Sequence, residues 1–158
     1  MNLAGVNPKH LYWICGTTGK RNTMKLILSS SSPARRSLLT RLKYPFEITS
    51  PDIDETELAD ETITETVSRL ARLKAKAAIE HHPNALIIGC DQLISTKDQV
   101  LGKPHTDEKA IAQLQLCSNA TLTSYTGLCL LNSSTGTMQE DVITYQVKFK
   151  NLSLDTIK

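Results

Sequence analysis

The chain has 158 residues and sets 18 basic side chains against 16 acidic ones, a formal charge of +2. That is the size of one domain with a real core, and no charged block marks a nucleic-acid or membrane surface. No run approaches the roughly 20 apolar residues that a bilayer-spanning helix needs, whereas a small polyanion would need only a few well-placed cations.

Residues 1–23 carry neither the apolar core nor the cleavage site of a signal peptide and are poorly patterned. They read as a poorly ordered N-terminal extension, with the domain beginning at Met24. From there strand and helix signals alternate, the pattern of an α/β layered fold. Lys25 to Leu28 reads as a short strand. Ser32 suits an N-cap and Pro33 a first helical position, so a helix is expected from Ala34 to about Leu42. "PFEITSPDIDE" reads as extended and ends in an acidic loop with Asp52, Asp54 and Glu55.

Thr62 and Glu65 have capping-box spacing and open a long helix to about Glu80. "NALIIGCD" is a buried strand expected to end at Asp91. "KDQVLGKP" reads as turn, strand and turn, and Thr106 caps a helix bearing Ala110, Ile111 and Leu114. "LTSYTGLCLLN" and "EDVITYQVKFK" form a hairpin through "SSTG". In its second arm Ile143, Tyr145, Val147 and Phe149 alternate with polar residues, so one face is expected to be buried and one wet. "LSLDTIK" looks like a helix start with Ser153 as cap.

The four cysteines, Cys15, Cys90, Cys117 and Cys129, are far apart and lack metal-ligand spacing. They read as reduced thiols of a cytosolic protein, three of them in the core. His81, His82 and His105 suit exposed helix ends and loops better than a metal site.

The chemistry concentrates in a few positions. On the long helix Val67, Leu70, Ala71, Ala75 and Ala78 form an apolar stripe with Lys74 in its middle. A lysine there snorkels, pairs with an acid, or points into a polar cavity. Asp91, where a buried strand emerges, either caps a turn or holds a cation and takes a proton from water. Lys103 lies in the "GKP" turn. Arg35, Lys74 and Lys103 with Glu55 and Asp91 make an inventory suited to phosphate chemistry, in which cations grip phosphates and acids hold a metal. Ser30, Ser32 and a helix N-terminus beside Arg35 would complete a triphosphate cradle, or simply cap a surface helix. Gly127 either lets a ligand approach the backbone or marks a bulge.

Six blocks, "KLILSSSSPARRSLL", "DIDET", "RLARLKAKA", "LIIGCDQ", "LGKPHT" and "TSYTGL", stand in the order and approximate spacing of the Maf family of nucleoside triphosphate pyrophosphatases, which the chain resembles from Met24 to about Leu152. The resemblance implies an elongated mixed sheet flanked by helices, of the Maf and inosine-triphosphatase kind. It implies hydrolysis of a nucleoside triphosphate to the monophosphate and pyrophosphate with a divalent metal cation (magnesium, manganese or cobalt), in the cytoplasm, by a possible homodimer. By position, Asp91 resembles the proton acceptor, and Ser30, Ser32 and Arg35 the phosphate-binding loop. Glu55, Lys74 and Lys103 match the polar site residues, Glu55 with Asp91 serving the metal. Ala34 and Gln92 occupy positions tied to substrate choice. "SPARR" and "SYTGL" are similar to the branch acting on 7-methyl-GTP, the dTTP and UTP branch being the alternative. Family members continue beyond "LSLDTI", so a missing C-terminal part is expected, with a non-catalytic remnant binding nucleotide or protein as the rival reading.

Overall fold

The computed structural model describes residues 24–97 and 99–157; the expected extension over 1–23 and Cys15 lie outside them. Strands β1 (Lys25–Ser29), β2 (Phe46–Thr49), β3 (Ala85–Thr96), β4 (Gln99–Leu101), β5 (Thr121–Asn132) and β6 (Met138–Lys148) form one mixed sheet. Its order is β2-β1-β3-β5-β6, with β4 added to β3. β1 runs parallel to β2 and β3, and the remaining pairs are antiparallel. The helices are α1 (Pro33–Thr40), α2 (Ile63–Ala77), α3 (Asp107–Cys117) and the single turn α4 (Leu154–Ile157). None of the described helices is long and apolar enough to cross a membrane.

Local chemistry accounts for the helix starts. Ser32 caps α1 by accepting from the Arg35 N–H, with Pro33 following, and Thr106 caps α3 in the same manner. At α2 the Thr62 hydroxyl accepts from the Glu65 N–H while the Glu65 carboxylate accepts from the Thr62 N–H, a complete capping box. β5 and β6 form the expected hairpin, in which Gly136 takes the positive φ of 73° that its turn demands.

α2 lies on one face of the sheet and closes the core. Ile27, Ala85, Ile87, Cys129 and Leu131 meet Ala71, Ala75 and Ala78 there. Two glycines set how close the helix comes. A Cβ on Gly89 would lie 2.0 Å from the Ala71 carbonyl oxygen, and one on Gly127 would lie 2.2 Å from that of Val67. Gly127 therefore seats the backbone of α2, rather than a ligand or a bulge. Three cysteines, Cys90, Cys117 and Cys129, are buried free thiols as expected, and burial pushes Cys129 up to about 11.

Two expectations are corrected. β3 does not stop at Asp91: it continues to Thr96 because β5 pairs with it as far as Ser95. The alternation in β6 is real, but within the strand the face it names is uncovered among the described residues, and Phe149, just past its end, is half-buried. Ile143, Tyr145 and Val147 are 51%, 55% and 42% exposed, since α2 packs on the opposite side of the sheet from them.

Candidate active site

β5 occupies one edge of β3 from Leu86 to Ser95, so β1 and β4 must share the other. β1 pairs with β3 only as far as Gly89, and β4 resumes at Ile94. Residues Cys90 to Leu93 are left without a partner on that edge, and Asp91 sits in this gap. The serine loop leaving β1 bounds the gap at one end, and Gly102 and Lys103, leaving β4, at the other. Above it opens a cavity of about 670 Å³.

Because α2 is seated on Gly89 and Gly127, Lys74 reaches down to the same place. The Lys74 backbone carbonyl accepts from the Ser29 hydroxyl at 2.6 Å, which ties that turn of the helix to the end of β1. Its ammonium lies 2.5 Å from Asp91 Oδ1 and 2.9 Å from Glu55 Oε1. Lys74 and Asp91 are buried, whereas the Glu55 side chain is 59% exposed and comes from the acidic loop after β2. Thus two of the three options for Lys74 hold together: it pairs with acids, and it lines a polar cavity.

The serine loop is ordered by its own hydroxyls. Ser30 Oγ accepts from the Ser32 N–H at 3.2 Å and from Arg35 Nη1 at 3.3 Å, drawing the guanidinium back over the loop. Both serine hydroxyls keep a proton to donate. Cys90 lies beneath, its thiol pushed up by burial despite the nearby Arg35 charge. Gln92 borders the cavity, and its amide donates to Ser124 Oγ and Thr126 Oγ1 at 2.9 and 3.1 Å.

Eight of the nine residues singled out from sequence, namely Ser30, Ser32, Arg35, Glu55, Lys74, Asp91, Gln92 and Lys103, line this one cavity. Ala34 does not. It is exposed on the first turn of α1, and its single methyl is too short to reach round from there. Sequence reasoning missed Thr66 and Leu70, which also line the wall; with Lys74 they recur every four residues along one side of α2, a signal that was available. It also missed Glu57 and the exposed His105 at the rim.

Electrostatically, Lys74 is neutralised by two carboxylates, while Arg35 and Lys103 have no acidic partner among the described residues. Two free cations across a cavity from a carboxylate pair suit an elongated anion. Glu55 Oε1 and Asp91 Oδ1 converge on the Lys74 ammonium, which leaves the second oxygen of each carboxylate for a further cation. That donor pair fits a divalent ion that takes its remaining ligands from water and phosphate. No group of three or more His, Cys, Asp or Glu among the described residues is placed to hold a metal without such help.

The model of the Maf-like protein family matches residues 25–158. The chain belongs to that family. Among Maf-like relatives, the protein named 7-methyl-GTP pyrophosphatase from Cupriavidus metallidurans is 52% identical over 128 residues, covering 81% of this chain and 64% of its own length. Proteins of the same name from Pseudomonas savastanoi pv. phaseolicola and Pseudomonas putida are each 49% identical, over 84% and 85% of this chain and 69% and 70% of their own. The chain thus spans roughly two thirds of the curated Maf-like relatives it matches, slightly less for the first of them. In fold it is similar to the Ham1 protein of Staphylococcus aureus, with a TM-score of 0.55 at 13% identity, over 78% of this chain and 71% of that one. The mixed α/β architecture expected from the Maf resemblance is therefore the one observed.

Proposed function

We propose that the protein hydrolyses 7-methyl-GTP, or a closely related modified nucleoside triphosphate, to the monophosphate and pyrophosphate. The observation that carries this reading is the convergence of Asp91, Lys74 and Glu55 beneath a cavity walled by the serine loop, Arg35 and Lys103. The names of the similar proteins supply the nucleotide.

In this reading the Ser30 and Ser32 hydroxyls, Arg35 and Lys103 bind and orient the triphosphate. Lys74 holds the Asp91 carboxylate through Oδ1; Oδ2 accepts no hydrogen bond among the described residues and is free to take a proton from the attacking water. Water attacks the α-phosphorus, its oxygen bonds there, and the bond to the bridging α–β oxygen breaks so that pyrophosphate leaves. Glu55 and Asp91 would hold a divalent cation of the magnesium, manganese or cobalt kind, which when bound supplies charge neutralisation and Lewis acidity. Gln92, fixed by Ser124 and Thr126, contributes to selection of the base.

The test compares pyrophosphate release from 7-methyl-GTP, GTP, dTTP and UTP. The reading expects 7-methyl-GTP to be preferred, with ¹⁸O from labelled water appearing in the monophosphate and a roughly hundredfold or greater loss in Asp91→Asn. A preference for dTTP or UTP would move the assignment to the other branch. Equal release by the protein and Asp91→Asn would favour a non-catalytic binder. The homodimer and the cytoplasmic setting belong to the same proposal, and sedimentation of the purified chain checks the first.

A further inference from the structure

Glu55 belongs to a segment with no helix or strand of its own, between β2 and α2, yet it must stay over Lys74 to complete the site. We infer that Arg69 is the positioning residue that holds this segment, through the Thr56 carbonyl and the Glu61 carboxylate, so that Glu55 remains on Lys74. The catalytic consequence rests on the pyrophosphatase reading; the structural one does not.

Arg69 stands five residues before Lys74 on α2. Its Nε donates to Glu61 Oε1 at 2.6 Å, while Nη2 donates to Glu61 Oε2 at 2.8 Å and to the Thr56 carbonyl at 3.0 Å. A guanidinium spans those three acceptors in one plane; an ammonium does not. The pair is mostly shielded, with Arg69 and Glu61 side chains 21% and 17% exposed. The buried Thr66 hydroxyl shares its one proton between the Thr62 carbonyl at 3.1 Å and Glu61 Oε2 at 3.3 Å. On the loop side, Asp54 Oδ1 accepts from both the N–H and the hydroxyl of Thr56, which rigidifies the turn that Arg69 grips. Thr56 is the immediate neighbour of Glu55. Among the described residues, the ties from residues 54–57 to side chains of α2 are therefore the Glu55 carboxylate on Lys74 and the Thr56 carbonyl on Arg69.

Hydrogen exchange of the full chain, followed by mass spectrometry, tests this in Arg69→Ala and Arg69→Lys. Arg69→Ala should speed exchange over residues 52–60 by about tenfold while leaving β3 unchanged, and Arg69→Lys should restore only part of the protection. In turnover of 7-methyl-GTP, Arg69→Ala should lower kcat/KM, and adding it to Glu55→Gln should cost little more than Glu55→Gln alone. Unchanged exchange over 52–60, or exchange that rises equally in β3, overturns the inference, as do additive kinetic losses. Were the chain to hydrolyse no triphosphate, the pyrophosphatase reading would fail, and the exchange pattern would still decide whether Arg69 positions the segment.

Discussion

The two faces of the sheet are built to different standards. On the face under α2, Ile27, Ala71, Ala75 and Ile87 are wholly buried, and two glycines let the backbone of the helix touch that of the strands. On the other face, the outer strand β6 leaves Ile143, Tyr145 and Val147 about half exposed. Both faces carry apolar residues in strand register, so composition alone does not distinguish them. What distinguishes these two stretches is whether a partner surface approaches, and Lys74 meets Asp91 on the side where α2 does. Lys74 reaches Asp91 only because α2 sits at the distance the glycines allow.

The largest expected effect comes from filling that seat. Gly89→Ala places a methyl against the Ala71 carbonyl and the Ala75 backbone, which cannot move aside without shifting α2. A loss of about 3 kcal/mol or more is expected, read from the urea midpoint. Next is Lys74→Met, which leaves the buried Asp91 carboxylate without its ammonium. It should cost roughly 2 kcal/mol, discounted from a fully enclosed pair because the cavity admits water. Cys129 gives a pH-dependent contrast. Its thiol has an ordinary value of 9.0, raised to about 11 chiefly by burial. Between those values the unfolded chain loses the proton that the folded chain keeps, so the contribution is intact below about pH 9 and is lost as the pH rises through about 11. The alkaline fall in stability should be shallower in Cys129→Ala. The smallest effect belongs to the open face: Ile143→Thr should change stability by no more than about 0.5 kcal/mol. A loss as large as that of Gly89→Ala would show that the two faces are not as unequal as their packing indicates.

Much of this was legible in the sequence, for reasons that differ by element. The starts of α1 and α2 were readable because caps are local: Ser32, Thr62 and Glu65 bond within three residues. Lys74 stood out because a cation inside an apolar helical stripe demands an explanation, and the cavity supplies it. The full length of β3 was not readable, since its second half is held by pairing with β5, a strand distant in the sequence. Nor does alternation in β6 say whether anything packs on the face it defines. Arg69 went unnoticed because its partners lie in an irregular segment, and Glu61 is eight residues away, at no spacing that neighbouring helical turns would bring together. Ala34 was expected on the cavity from a match of position, and position alone does not carry a short side chain across a helix.

The interruption along one edge of β3 has a consequence for how a ligand enters. Four residues of unpaired strand span roughly 13 Å at an ordinary rise per residue. An opening made by strands that stop short is carved before any guest arrives, and its width follows from how many residues β1 and β4 contain. Selection of an occupant can therefore begin with a fixed ruler, one end of which is set by the serine loop and the other by the turn after β4.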